Sequence, residues 1–211
     1  MQSFEIAIFL QFFLGLVAAV NPVGIMPVFV SLTGMTLEEK NKTAATANIA
    51  VAIILIIALL AGQMLLDLFS ISLDSFRVAG GLLLLSIAFS MMSGKLGEDK
   101  QNKQEKSEYI SREQIAVVPL AMPLMAGPGA ISSTIVYGSR YPNMLDTLGI
   151  ILTVVAFSFC SWLLFRSAPY IVRLLGQTGI NVITRIMGLI LGALGIEFIA
   201  NGLRNLFPGL A

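Results

Sequence analysis

The chain has 211 residues, of which 56% are hydrophobic and only 12% charged; its mean hydropathy is +0.87 and its net charge +1. Soluble domains carry about 25% charged residues, so this balance indicates a polytopic membrane protein with no basic face for nucleic acid. There is no histidine, which excludes imidazole metal sites, Ser-His triads and histidine proton relays together, and the single Cys160 lies in an apolar run where a small buried hydrophobe is expected.

A helix needs about 20 mostly apolar residues to cross the hydrocarbon core. Six stretches meet that requirement: 4–32, 43–66, 72–93, 115–138, 147–165 and 182–203. The N-terminus carries Glu5 in place of a positive n-region, and its apolar run is too long for a signal peptide. It is therefore expected to be a retained first span. That span is longer than a straight crossing requires, and it contains the run V-N-P-V-G-I-M-P-V-F from Val20 to Phe29.

Between the third and fourth spans, residues 94–114 alternate charge and are expected to form a solvated cytoplasmic linker. The fourth span holds a second dense cluster, P-L-A-M-P-L-M-A-G-P-G-A-I-S-S-T. Lysines and arginines fall ten on the side of the loops after spans one, three and five, against Arg77, Arg140 and Arg204 on the other. That bias places both termini outside and the linker in the cytoplasm.

The two halves resemble each other. An offset of 108 positions lays Arg77 on Arg185, Gly80 on Gly188 and Ser93-Gly94 on Asn201-Gly202, and an offset of 106 lays Asn21-Pro22 on Gly127-Pro128. Three spans per half is an odd number, so the second copy must enter the membrane upside down. The expected fold is all-α, with six transmembrane helices as two inverted three-helix repeats, 1–93 and 115–211, and with helices one and four broken.

Proline inside a helix removes a backbone hydrogen bond and costs about 3 kcal/mol. In lipid such a break survives only where protein or a cavity satisfies the freed groups. Asn21 can serve as an N-cap with Pro22 at the first helical position. Gly24 permits close approach, and Pro27 weakens the following turn. Gly127-Pro128-Gly129 is the corresponding break, followed by the small hydroxyl residues Ser132, Ser133 and Thr134. Each break would begin a half-helix whose N–H groups favour an anion at membrane depth. Two such ends approaching from opposite leaflets suit a small zwitterion or anion.

These runs, together with F-R-V-A-G-G-L-L-L-L and R-I-M-G-L-I-L-G-A-L-G-I-E-F-I-A-N-G-L, resemble the MarC family of bacterial and archaeal integral membrane proteins. The likeness covers nearly the whole chain. It implies six spans in the cytoplasmic (inner) membrane and kinship with transporters of small neutral amino acids such as glycine and alanine. The motif positions it marks are Asn21, Pro22, Gly24 and Pro27, then Pro123, Gly127, Pro128 and Gly129.

Three charged residues are further candidates. Glu197 lies within the sixth span, where it could bind a coupling cation, carry a proton or pair with an arginine. Arg77 and Arg185 begin spans three and six as helix-end anchors or substrate ligands, and Asp74 could pair with Arg77. Gly80-Gly81, Gly188, Gly192 and Gly195 invite close helix packing, within the bundle or at a homo-oligomer interface.

The resulting expectation is a secondary transporter of glycine- or alanine-like zwitterions. It needs no metal or cofactor beyond a coupling ion, H+ or Na+, and no phosphate-binding motif for ATP is present. Its partners are a small-molecule substrate and the lipid bilayer. The alternatives are an exporter or channel for another small solute, including a drug-efflux role, an intramembrane enzyme using Ser132 or Glu197, or a membrane regulator. With neither histidine nor a convincing acid pair, an enzyme is not expected.

Overall fold

The computed structural model describes residues 6–32, 37–93 and 125–207. The linker 94–114, Pro123 and the first part of the fourth span lie outside the described residues. Within them the fold is entirely helical: α1 (Ile6–Val20), α2 (Pro22–Leu32), α3 (Leu37–Leu68), α4 (Leu73–Met92), α5 (Pro128–Arg140), α6 (Met144–Arg166) and α7 (Ala168–Leu206). Among the described residues, five stretches are long and apolar enough to cross a membrane: Ile6–Pro27, Glu38–Leu68, Leu73–Met92, Met144–Arg166 and Ala168–Leu206.

Each long helix buries one face and exposes the other at the helical period, with apolar residues on both. On α3, Ala44, Ala47, Val51, Leu55 and Leu59 are buried, while Ile49, Ile53, Ile57 and Leu60 face outward at the same helical period. On α6, Ile150, Val154, Phe157 and Phe165 are buried, and Leu152, Val155, Phe159 and Leu163 are exposed. Cys160 shares that outer, lipid-facing surface and is exposed, so the expectation of a buried thiol is corrected. An apolar run locates a span but does not fix the rotation of its helix.

α3 and α4 turn back on each other through residues 69–72. There the Ser72 hydroxyl accepts from the Ser75 N–H at 3.1 Å, and Asp74 lies in the first turn, where the helix dipole favours an acid. α7 begins at Ala168, well before the expected sixth span, and is kinked at Gly176. A φ of 60° there is left-handed, and a Cβ would meet nothing within 4 Å. The glycine therefore serves the backbone conformation and not a tight contact.

The most extensive contact joins α4 to α7, which run antiparallel, Gly202 lying near Asp74 and Gly188 near Met91. α3 packs on α5 and α6, α1 on α5, α6 and α7, α2 on α6 and α7, and α4 on α5. Nearly all the extensive contacts thus cross between the N-terminal and C-terminal halves.

Glycine makes the α4–α7 contact possible. A Cβ on Gly81 would stand 2.6 Å from the Gly195 carbonyl oxygen, and one on Gly195 would stand 2.9 Å from the Gly81 carbonyl oxygen. Gly192 differs, since its added Cβ would meet the Ala88 Cβ at an ordinary 3.5 Å. Gly81→Ala should therefore destabilise the protein by about 1–3 kcal/mol through overpacking. Gly192→Ala should be neutral or gain up to about 1 kcal/mol of helix propensity. Thermal unfolding of both variants in detergent checks the contrast, and equal midpoints would refute it.

Candidate functional site

Asn21 separates α1 from α2 by a single residue with a φ of 47°. Asparagine is among the few residues that enter the left-handed region readily. The backbone remains bonded on either side: the Asn21 N–H donates to the Val17 carbonyl at 2.9 Å, and the Ile25 N–H donates to the Asn21 carbonyl at 3.3 Å. Its side chain caps the new helix, Oδ1 accepting from the Gly24 N–H at 3.2 Å. The amide Nδ2 donates to the Thr184 hydroxyl of α7 at 3.3 Å, a contact spanning 163 positions of sequence. Asn21 is only 2% exposed and Thr184 7%, so this is a buried polar pair in an apolar bundle.

Gly24 is required by that cap. A Cβ there would collide with Asn21 Nδ2 and would lie 2.8 Å from Thr184 Oγ1. Pro22 occupies the first helical position, where its missing N–H costs nothing further. Pro27 lies inside α2.

At the second cluster, Met125 and Ala126 are buried, Gly127 is the N-cap residue and Pro128 opens α5. The Ile131 N–H donates to the Gly127 carbonyl at 3.1 Å, and α5 has no side-chain cap. Among the described residues no side chain caps this first turn, whereas that of α2 is capped by Asn21. Gly129 lies against α4, with a Cβ there 2.9 Å from Leu84 Cδ2. Gly80 likewise makes room for Ser132, whose Cβ would stand 3.0 Å away. Ser132, Ser133 and Thr134 are all buried. The Thr134 hydroxyl donates to the Ala130 carbonyl at 2.8 Å, returning a membrane-depth polar group to its own helix.

The two clusters border one buried core. Val20, Ile25 and Met26 from the first and Met125, Ala126 and Ala130 from the second belong to the same packed cluster as Val51, Leu55 and Val154. Their polar and glycine contacts diverge, Asn21 and Gly24 meeting Thr184 on α7 while Gly129 meets Leu84 and Ile87 on α4.

Two-thirds of the charged candidates converge elsewhere. A cavity of about 550 Å³ opens among α1, α4, α5 and α7, lined by Gln11, Arg77, Tyr137, Arg140, Glu197 and Asn201, with Gly15 and Leu194 among its apolar lining. It lies toward the α3–α4 and α5–α6 turns, the side poor in lysine and arginine. Gly15 is six residues above Asn21, about 9 Å at the helical rise. Arg77 is buried and pairs with Asp74 at 3.1 Å, and the same Asp74 oxygen accepts from Asn205 at 3.0 Å. Glu197 pairs with neither arginine among the described residues; Oε1 accepts from Asn201 at 2.8 Å. Arg185 is exposed and does not line this cavity.

On the opposite side, Phe29 packs on Phe165 with ring centroids 5.0 Å apart, both rings being fully buried. Close to that side, an apolar crevice of about 320 Å³ between α3 and α6 is bordered by Asn48, Ser158 and Trp162. Asn48 Oδ1, Ser158 Oγ and Trp162 Nε1, and Ser161 Oγ nearby on α6, are buried without hydrogen-bond partners among the described residues. Sequence reasoning passed over these residues, as it did Thr184, Tyr137 and Arg140, because none falls in a Pro/Gly cluster. The intramembrane polar character of Asn48 and Thr184 was the only available signal.

Comparison with known proteins agrees with the helical, membrane-spanning architecture. Residues 6–207 match the family model described as MarC family integral membrane protein. The UPF0056 membrane protein YhcE of Escherichia coli is 62% identical over 98% of this chain and 97% of its own. A UPF0056 membrane protein of Buchnera aphidicola from Acyrthosiphon pisum is 50% identical over 98% and 97%, and one of Pyrococcus horikoshii is 36% identical over 94% and 96%. No solved structure matches. The chain belongs to the MarC family of integral membrane proteins.

Proposed function

We propose that this protein is a secondary transporter of small neutral amino acids, working by alternating access between two inverted three-helix repeats, 1–93 and 115–211. The observation that carries the reading is the pair of helix starts at Asn21 and Gly127, at equivalent positions and bordering one buried core. The helix pairing supports the repeat. Equivalent helices meet (α3 with α6, α4 with α7), and the cross contacts come in matched pairs, α2–α6 with α3–α5 and α2–α7 with α4–α5. A two-fold axis in the membrane plane produces that pattern.

The uncapped first turn of α5 receives the substrate carboxylate, since unsatisfied N–H groups and the helix dipole favour an anion there, by up to about 2 kcal/mol when partly buried. Ser132, Ser133 and the Asn21 amide complete a small polar lining, while Gly24, Gly129 and the surrounding methionines limit its size. In this reading the 550 Å³ cavity is the vestibule on the lysine- and arginine-poor side, and the packed Phe29 and Phe165 belong to the gate on the other. Exchanging the conformations of the two repeats would open the other side and bring Arg185 to the place Arg77 holds here. The cationic bias of the loops assigns the vestibule side to the periplasm of a cytoplasmic membrane, with both termini there. A proton or sodium gradient drives the cycle.

Purified protein in liposomes should accumulate labelled glycine or alanine under an imposed proton or sodium gradient, and should show counterflow, which a channel does not. No uptake above empty liposomes, while a solute of another class is accumulated, would overturn the amino-acid assignment. Asn21→Leu and Gly129→Leu should lower uptake by about a hundredfold through misplacing the site, with membrane insertion intact. Asn21→Asp keeps an oxygen for the Gly24 N–H but loses the donor to Thr184 and puts an acid at a 2% exposed position, so the thermal midpoint should fall and transport should drop by about tenfold or more. Full transport by all three variants would reduce the breaks to structural kinks.

A further inference from the structure

We propose that the cavity among α1, α4, α5 and α7 is a second, outer binding site for zwitterionic amino acids, which holds the carboxylate on Arg77 and Arg140 and the ammonium on Glu197. The proposal rests on the transporter reading for its choice of ligand, but not for its chemistry. That chemistry follows from charge. Arg77 and Arg140 line the cavity with two positive groups and Glu197 with a negative one, and Asp74, behind the lining, adds a second negative charge bonded to Arg77 at 3.1 Å. The set is neutral overall but has separated poles. A ligand that is itself neutral with separated poles matches it, whereas a simple anion or cation leaves one charge unanswered.

Three of these groups are held in place before any ligand arrives, while Arg140 is exposed and lies over the Tyr141 ring, 5.6 Å from its centroid. Arg77 is buried, with a side chain only 10% exposed, and Asp74 engages its Nη1. A guanidinium carries five N–H donors, so one such bond leaves donors for a carboxylate. Asp74 is fixed from its other neighbour by Asn205. Glu197 is held through Oε1 by Asn201, whose Nδ2 also donates to the Glu197 carbonyl at 2.9 Å. Both acids thus have an amide partner at about 3 Å that orients them without neutralising them.

The residues come from both halves of the chain, Gln11 and Arg77 from the first, and Tyr137, Arg140, Glu197 and Asn201 from the second. A cavity of about 550 Å³ is larger than glycine or alanine requires, so the ligand enters with water and is held by its charged ends. The site stands two helical turns above Asn21. It is therefore distinct from the inner site and can be occupied when that site is disabled.

The test uses the full chain in nanodiscs and isothermal titration with three probes: alanine, propionate, which lacks the ammonium, and ethylamine, which lacks the carboxylate. The Asn21→Leu protein should still bind alanine at one site, with propionate and ethylamine at least about tenfold weaker. Adding Arg140→Gln or Glu197→Gln to it should weaken alanine binding by about tenfold or more. Size-exclusion elution and thermal midpoint matching the Asn21→Leu parent establish that each variant is folded. Loss of alanine binding in Asn21→Leu, or binding unchanged by both added substitutions, overturns the outer site. Transport by the unsubstituted protein separates the two failures: if it carries alanine, only the outer site falls; if it neither carries nor binds alanine, both readings fall.

Discussion

A backbone N–H or C=O group left unsatisfied in hydrocarbon costs several kcal/mol, and the architecture of this bundle depends on that cost. The left-handed turn at Asn21 shows how the chain meets it. Pro22 removes one donor, but the flanking bonds from Val17 to Ile25 persist, and the Asn21 side chain takes up the Gly24 N–H. The same constraint governs other polar side chains at depth. Thr134, Thr153 and Asn48 each return a donor to a carbonyl four residues earlier in their own helix, at 2.8 Å. Asn21 uses its amide differently, reaching Thr184 across the bundle. It joins the first interruption to the last helix as well as stabilising a local turn.

The interleaving of the two halves follows from a related shortage. Helices surrounded by lipid gain nothing from burying apolar surface against each other, so they associate through close packing and polar contacts. The α4–α7 pair does so by bringing backbone against backbone at Gly81 and Gly195. Such a contact leaves little room for any added atom. The α3–α5 contact rests on flexible side chains instead, Ile135 against Gly62 and Leu59 against Gly138.

Much of this was readable from the sequence. The apolar spans, the glycine positions of α4 and α7 and the two Pro/Gly clusters are local patterns, and local patterns report helices and interruptions. The ion pair of Arg77 with Asp74 is also local, three residues apart on one helix. What the sequence left hidden depends on distant partners or on rotation. Thr184 matters because Asn21 reaches it over 163 positions. Arg140 joins Glu197 in one cavity only because α5 and α7 approach each other around α1. Cys160 faces outward because the rotation of α6 is set by Phe157 and Phe165, which are larger and occupy the core. The early start of α7 at Ala168 was missed because Gly176 reads as a helix end in sequence, whereas here it is a kink between two helical limbs.

The unequal treatment of the two helix starts bears most directly on function. If the Pro/Gly clusters were only kinks, nothing would distinguish them, and each would be expected to cap itself from within. Instead α2 begins under the Asn21 side chain, and α5 begins under Gly127, which has no side chain to offer. Glycine at an N-cap gives up only about a few tenths of a kcal/mol against a polar cap, so leaving the first turn of α5 without a side-chain cap costs the fold little. The transporter reading proposed above uses that turn for the substrate carboxylate, the kind of acceptor that a helix N-terminus favours.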